Sequence, residues 1–161
     1  MTQLKKVLES KAKIRFHDCD PFNHLNNSRY IDYIVTARGD QLIEAYNFDI
    51  YQLAREQGIG WVTAQTQISY VSPAYLMEEV TIETQLIDCS PRSLHLEAKM
   101  WNREKTALKV VMWAKLVHFH LRTQQSIAHT DEHMQFFRQI VNPPSPLSTF
   151  EERVKTLKQT I

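Results

Sequence analysis

Residues 11–17, KAKIRFH, alternate: Ala12, Ile14 and Phe16 fall on one side, Lys11, Lys13 and Arg15 on the other. A period of two over so short a run predicts a half-buried strand. A polar loop follows. From Asn27 to Tyr46 the period lengthens to that of a helix. Ile31, Ile34, Val35, Leu42 and Ala45 form one stripe, and Tyr30, Tyr33 and Ala37 add a second apolar side in the first turns. A helix apolar on more than one face is expected to be wrapped by other structure. Residues 47–60 read as a connecting segment ended by Gly58 and Gly60. From Trp61 the period returns to two. Val62, Ala64, Ile68 and Tyr70 share a face. Val80, Ile82 and Leu86 share another, and Leu94, Leu96, Ala98 and Met100 oppose the polar His95, Glu97 and Lys99. The turns SPAYLMEE, DCSPR and NREKT separate these strands. The run ALKVVMWAKLVHFHL is apolar on both faces, as expected of a central strand or one at a subunit contact.

The tail returns to helical spacing. HTDEHMQFFRQIV places Met134, Phe137 and Val141 in register, and NPPSP breaks it. STFEERVKTLKQTI opens with the capping-box pattern Ser148–Glu151 and carries Phe150, Val154, Leu157 and Ile161 as a stripe. The order is a strand, a long buried helix, four meandering strands and a helical tail. It predicts the α+β class: an antiparallel sheet wrapped around one central helix. A single domain is expected over residues 1–142, with a Pro-rich break and a docked helix over 143–161. The length, 161 residues, suffices for a real core.

Composition narrows the function. Nineteen Lys and Arg face eighteen Asp and Glu, which argues against a nucleic-acid protein held by a basic face. Two cysteines, Cys19 and Cys89, form no pairing framework, so a reducing, cytoplasmic setting is expected. The N-terminal MTQLKKVLESKAKIRF cannot supply the apolar core of a signal peptide, and no stretch approaches a membrane span. Three glycines leave no phosphate loop and no dinucleotide fingerprint, and no cofactor is implied.

The stretch richest in chemistry is DCDPFNHLNNSRY, residues 18 to 30. A calcium loop starting at Asp18 would need Gly at its sixth position and Glu at its twelfth, where Asn23 and Arg29 stand. For a transition metal, His17 and Asp18 point to opposite sides of an extended chain, and no ligand pair has a recognised spacing. His118, His120, His129 and His133 read as surface or packing residues. Two readings of the loop stay open. Asp or Asn can cap the helix that follows. A carboxylate and an imidazole beside free helix-start N–H groups can also serve acyl chemistry.

RFHDCDPFNHLNNSRYIDYIVTAR resembles the hotdog-fold acyl thioesterases, of both the 4-hydroxybenzoyl-CoA and the acyl-ACP type. The pattern D-x-D-x-x-x-H-x-N-N-x-x-Y falls on Asp18, Asp20, His24, Asn26, Asn27 and Tyr30, and ISYVSPAYLMEEVTIET is similar to the strand–turn–strand that follows in that family. The resemblance implies a hotdog fold and hydrolysis of an acyl-CoA or acyl-carrier-protein thioester to a carboxylic acid and a thiol. It implies Asp20 as the catalytic carboxylate, His24 as an orienting group and the Asn27 N–H as the oxyanion donor. Asn26 and Tyr30, with Thr66 and Ser69 on the second strand of a neighbouring subunit, would bind substrate. The plant acyl-ACP type carries Asn where Phe22 stands here, so Asp20 with a backbone oxyanion site is the expected set. A non-hydrolytic acyl-binding or assembly domain is the alternative on this fold. Trp113, Val117 and Phe119 would lie exposed in a monomer, so a homodimer or a dimer of dimers is expected.

Overall fold

The computed structural model describes residues 2–146 and 148–161. Five long strands form one antiparallel sheet: β1 (Val7–Lys13), β2 (Ile59–Tyr70), β3 (Glu79–Cys89), β4 (Ser93–Asn102) and β5 (Leu108–His120). Their order is β1-β3-β4-β5-β2, and a short β6 (Gln125–Ser126) pairs antiparallel with the end of β5. Only β3, β4 and β5 meander. The chain enters β2 on the far edge beside β5, which a list of strands in sequence order cannot reveal.

The helix α1 (Tyr30–Tyr46) lies against one face of the sheet. Ile82 and Val80 on β3, Met100 and Ala98 on β4, and Val110 and Met112 on β5 meet Tyr30, Ile34 and Ala37 there. Ile14, Ile82, Met100 and Val110 are fully buried, each contributing roughly 1.5–3 kcal/mol by leaving water. The helix stripe differs from its expected form. Val35 and Ala45 are exposed, while Gly39 and Gln41 are buried. Gly39 has a reason: a Cβ there would come within 2.7 Å of the Tyr51 hydroxyl on the next helix, α2 (Ile50–Gln57). That helix occupies the expected connecting segment. Asp49 caps it through bonds from the Tyr51 and Gln52 N–H groups, and Gly58 ends it with left-handed backbone.

Strand β2 also departs from its simple pattern. A bulge between Thr63 and Gln65 interrupts its register, and Val62, Ala64 and Tyr70 are exposed; only Ile68 of the expected face packs on the core. The third helix, α3 (Asp131–Ile140), buries Phe137 and Ile140, and Met134 and the C-cap Val141 are partly buried against the same cluster. The last helix, α4 (Phe150–Gln159), covers part of the other face of the sheet. Phe150, Val154 and Leu157 pack on Ile87, Leu108, Val111 and Trp113. Trp113 is therefore buried within one chain, contrary to the expectation from strand alternation. The helix is capped by Thr149 and Glu152, one residue later than the Ser148–Glu151 pattern.

Under α4 lies a buried polar cluster. Glu97 is wholly inaccessible, with Arg153 bound at 2.8 Å to each oxygen, Trp113 donating at 2.9 Å and Gln85 at 2.8 Å. Burial pushes the Glu97 carboxyl up, but the bonds from Arg153 and Trp113 outweigh it and leave it below its ordinary range.

Candidate active site

The loop between β1 and α1 is tied to the segment 71–78. Leu25 N–H donates to the Ala74 carbonyl at 2.8 Å, and Leu76 N–H donates to the Asn23 carbonyl at 2.9 Å. His24 bridges Tyr75, and their rings meet edge to face at 5.2 Å. Tyr30, the first residue of α1, accepts the Ala74 N–H at 3.1 Å through its buried hydroxyl. These bonds fix where the helix begins. Asn23 turns the chain with φ 61°, a conformation Asn tolerates better than most side chains.

The two aspartates have different partners. Asp18 receives the Tyr33 hydroxyl at 2.7 Å and lies 3.9 Å from the Arg29 guanidinium. Burial, with the bond to Asp18, pushes the Tyr33 phenol up, so it keeps the proton it donates. Asp18 therefore anchors the loop to α1. Asp20 is held by one oxygen only: its Oδ1 accepts the N–H groups of Phe22 at 2.9 Å and His24 at 3.2 Å. Its Oδ2 has no hydrogen-bond partner among the described residues.

Asp20, His24, Asn26, Asn27 and Tyr30 line one cleft of about 460 Å³, with Tyr70, Val71, Ser72 and Pro73 on its other side. Asn26 Oδ1 accepts the Ser28 N–H at 3.0 Å and the Ser28 hydroxyl at 2.9 Å, shaping the turn that precedes α1. The Asn27 carbonyl accepts the Tyr70 hydroxyl at 2.7 Å. The Asn27 N–H has no acceptor among the described residues. A carboxyl oxygen without a partner and an unused backbone donor at a helix entrance make an arrangement suited to acyl transfer. Cys19 is the wrong nucleophile here. Burial and the neighbouring Asp18 and Asp20 charges push its thiol up, away from the reactive thiolate.

Residues 14–150 match the model of the Thioesterase-like superfamily. The chain belongs to this superfamily. It is 27% identical over 134 residues to the long-chain acyl-CoA thioesterase FadM of Escherichia coli (strain K12), across 83% of this chain and 99% of that protein. The crystal structure titled YbaW Probable Thioesterase, also from Escherichia coli, matches with a TM-score of 0.70 at 27% identity, over 84% of this chain and 99% of that one. A DHNA-CoA thioesterase from Staphylococcus aureus matches with a TM-score of 0.73 at 17% identity over 96% of this chain and 94% of that one, a likeness of fold. The sheet around α1 is the hotdog fold, and the chain is a thioester hydrolase.

The thioesterase has a second space that the sequence did not announce. A cavity of about 350 Å³ runs between α1 and the sheet, lined by Ile34, Leu42, Leu86, Leu116 and Phe137 among others. It borders the same elements as the cleft. Tyr30 and Tyr70 line the cleft, whereas Ile31, Val35 and Thr66 line the cavity. Thr66 thus lies in the apolar space, and Ser69 lines neither. The cavity also holds Arg38, which neither periodicity nor motif had singled out. Among the described residues, no group of three or more His, Cys, Asp or Glu is arranged to hold a metal ion, and no helix is long and apolar enough to cross a membrane.

The four histidines divide. His120 is half-buried, and its Nδ1 accepts the Thr123 N–H at 3.2 Å. His118, His129 and His133 gather around Trp61 at the end of the cavity. His118 and His129 have ring centres 4.8 Å apart. His129 accepts the Trp61 indole N–H at 2.9 Å on Nε2, leaving Nδ1 to donate to the Ser90 carbonyl. That pattern requires the neutral ring.

Proposed function

We propose that this thioesterase hydrolyses acyl-CoA, with Asp20 as the reacting carboxylate and the Asn27 N–H as the donor to the thioester oxygen. The observation that carries the reading is the pairing of a carboxylate oxygen left free at Asp20 with an unused N–H at Asn27 in one cleft. Asp20 Oδ2 takes the proton of an attacking water, or itself attacks the carbonyl carbon to give an anhydride that water then opens. In both routes the carbonyl π electrons move onto oxygen at the Asn27 N–H. They return as the carbon–sulfur bond breaks, and the thiolate leaves and is protonated by solvent. His24, packed on Tyr75, orients the water. Asn26 and Tyr30 shape the entrance. The likeness to FadM favours CoA over an acyl carrier protein and an aliphatic over an aromatic acyl group.

The second half of the reading is assembly. Among the described residues strand β2 pairs on one side only, and Val35, Val62 and Tyr70 are exposed apolar residues of α1 and β2. A second copy pairing along this edge covers that surface and brings Thr66 and Ser69 near the partner's α1. Two unpaired cysteines fit a reducing cytoplasm.

The test is thiol release from a panel of acyl-CoA and acyl-carrier-protein thioesters, read beside sedimentation. The expected result is turnover of acyl-CoA by a dimer. A stable monomer at micromolar concentration would overturn the assembly, and turnover confined to carrier-protein substrates would overturn the choice of CoA.

A further inference from the structure

Arg38 lines the mostly apolar cavity and makes no ion pair with a carboxylate among the described residues. Its Nη1 donates to the Thr84 hydroxyl at 2.9 Å. The Thr84 hydroxyl donates in turn to Gln41 Oε1 at 2.5 Å, and the Gln41 amide donates to the Ser10 hydroxyl and the Ile82 carbonyl at 2.9 and 3.1 Å. Thr84 and Gln41 are both buried. This relay holds the guanidinium in one orientation. It also leaves one edge unused: Nε is buried without a partner, and no described residue accepts from Nη2. The Nε–Nη2 edge is the one that binds a carboxylate with two parallel bonds. Burial pushes the guanidinium down to about 10, which leaves it cationic at neutral pH. A buried charge without a counter-ion is costly, and a pre-organised one facing a cavity is a binding group waiting for its anion.

Position along α1 says what the anion belongs to. Arg38 lies eight residues beyond Tyr30, so about 12 Å down the helix axis from the catalytic end. The cavity wall beside Arg38 is mostly apolar, with Ile34, Leu42, Leu86 and Leu116. Resting on the thioesterase reading, we infer that Arg38 receives the far carboxylate of an ω-carboxyacyl chain, so that the enzyme accepts monothioesters of dicarboxylic acids. The reacting carbonyl sits at Asp20, the methylenes lie along Ile34 and Leu116, and the terminal carboxylate closes on Nε and Nη2.

The experiment compares the CoA monothioester of dodecanedioic acid with dodecanoyl-CoA on the wild type, Arg38→Met and Arg38→Lys. The ratio of kcat/KM for the two substrates is expected to fall ~10–100-fold in Arg38→Met, the range for losing hydrogen bonds to a charged group, with partial recovery in Arg38→Lys. Thr84→Val, which loosens the guanidinium, should lower the same ratio by less. An unchanged ratio would overturn the inference while leaving hydrolysis intact. So would a loss of dimer in Arg38→Met by sedimentation, because Arg38 would then serve the partner chain. Calorimetric titration with dodecanedioate and dodecanoate reads the same preference without turnover. If no thioester is hydrolysed but dodecanedioate binds the wild type and not Arg38→Met, the function reading falls and the Arg38 site stands.

Discussion

Asp18 and Asp20 are two residues apart and serve different ends. Tyr33 and Arg29 claim the first, whereas the second offers an oxygen to the cleft. Asp20→Asn preserves size and can still accept the Phe22 and His24 N–H groups. It should lower thiol release by ~10²–10⁴-fold with unchanged melting, the loss typical of removing a general base. Near-normal turnover in a folded variant would return the loop to a helix entrance. His24→Ala should cost less than Asp20→Asn in the same assay if its role is orientation. Asn26→Ala removes the acceptor that shapes the turn through Asn27 to Ser28, and urea denaturation should show a loss of about 0.5–1.5 kcal/mol. Its kcat should fall as well, because the Asn27 N–H, the proposed oxyanion donor, is displaced. The motif was legible because its residues are close in sequence. Arg38 was not, since only the folded cavity shows that its charge is unpaired.

At the scale of elements, α1, β3, β4 and β5 were readable from their helical or two-residue period. The first strand, by contrast, runs over Val7–Lys13 rather than 11–17, leaving Phe16 exposed beyond its end, and β2 leaves most of its expected face exposed. The helix α2 was not readable: none of its residues is buried, so it carries no core stripe, and its only signals were Asp49 and Gly58. The cap of α4 shows another limit. Ser148–Glu151 and Thr149–Glu152 satisfy the same spacing one residue apart, and the pattern alone cannot choose between them. Helix α3 depends on neutral histidines. Burial, first among the causes, pushes His118, His129 and His133 below the ordinary range, His129 to about 4. In the unfolded chain these rings take up protons near pH 6.5, while the folded cluster refuses them until about pH 4 for His129. Their contribution is therefore full above pH 6.5 and is lost as pH falls through that window, at up to about 1.4 kcal/mol per pH unit for each histidine. Urea midpoints should drop across it, with Trp61 fluorescence changing early, and His129→Gln should flatten the slope. A midpoint independent of pH between 7 and 4.5 would refute the neutral cluster.

For the whole molecule, the outer face of the sheet matters most. Alternation assigned Glu97 and Lys99 to solvent, and that is where a bare sheet would put them. The roof formed by α4 could not be read from the strands it covers. Arg153→Met strips Glu97 of its main partner in a buried setting and should cost about 3–5 kcal/mol in urea denaturation, whereas Glu97→Gln with Arg153→Met should recover much of that loss. We propose that residues 1–142 form the hotdog body and that 143–161 are an appendage to it. Deleting 145–161 should leave a folded protein of lower Tm, since Trp113 is uncovered and Glu97 loses Arg153. An unaltered melt would mean that α4 is not docked in solution. The roof has a consequence for growth. While α4 is seated, the part of the sheet's back formed by Ile87, Leu108, Val111 and Trp113 is closed to stacking. A second copy could stack on those strands only after displacing α4, so the C-terminal segment controls which contacts that patch can make.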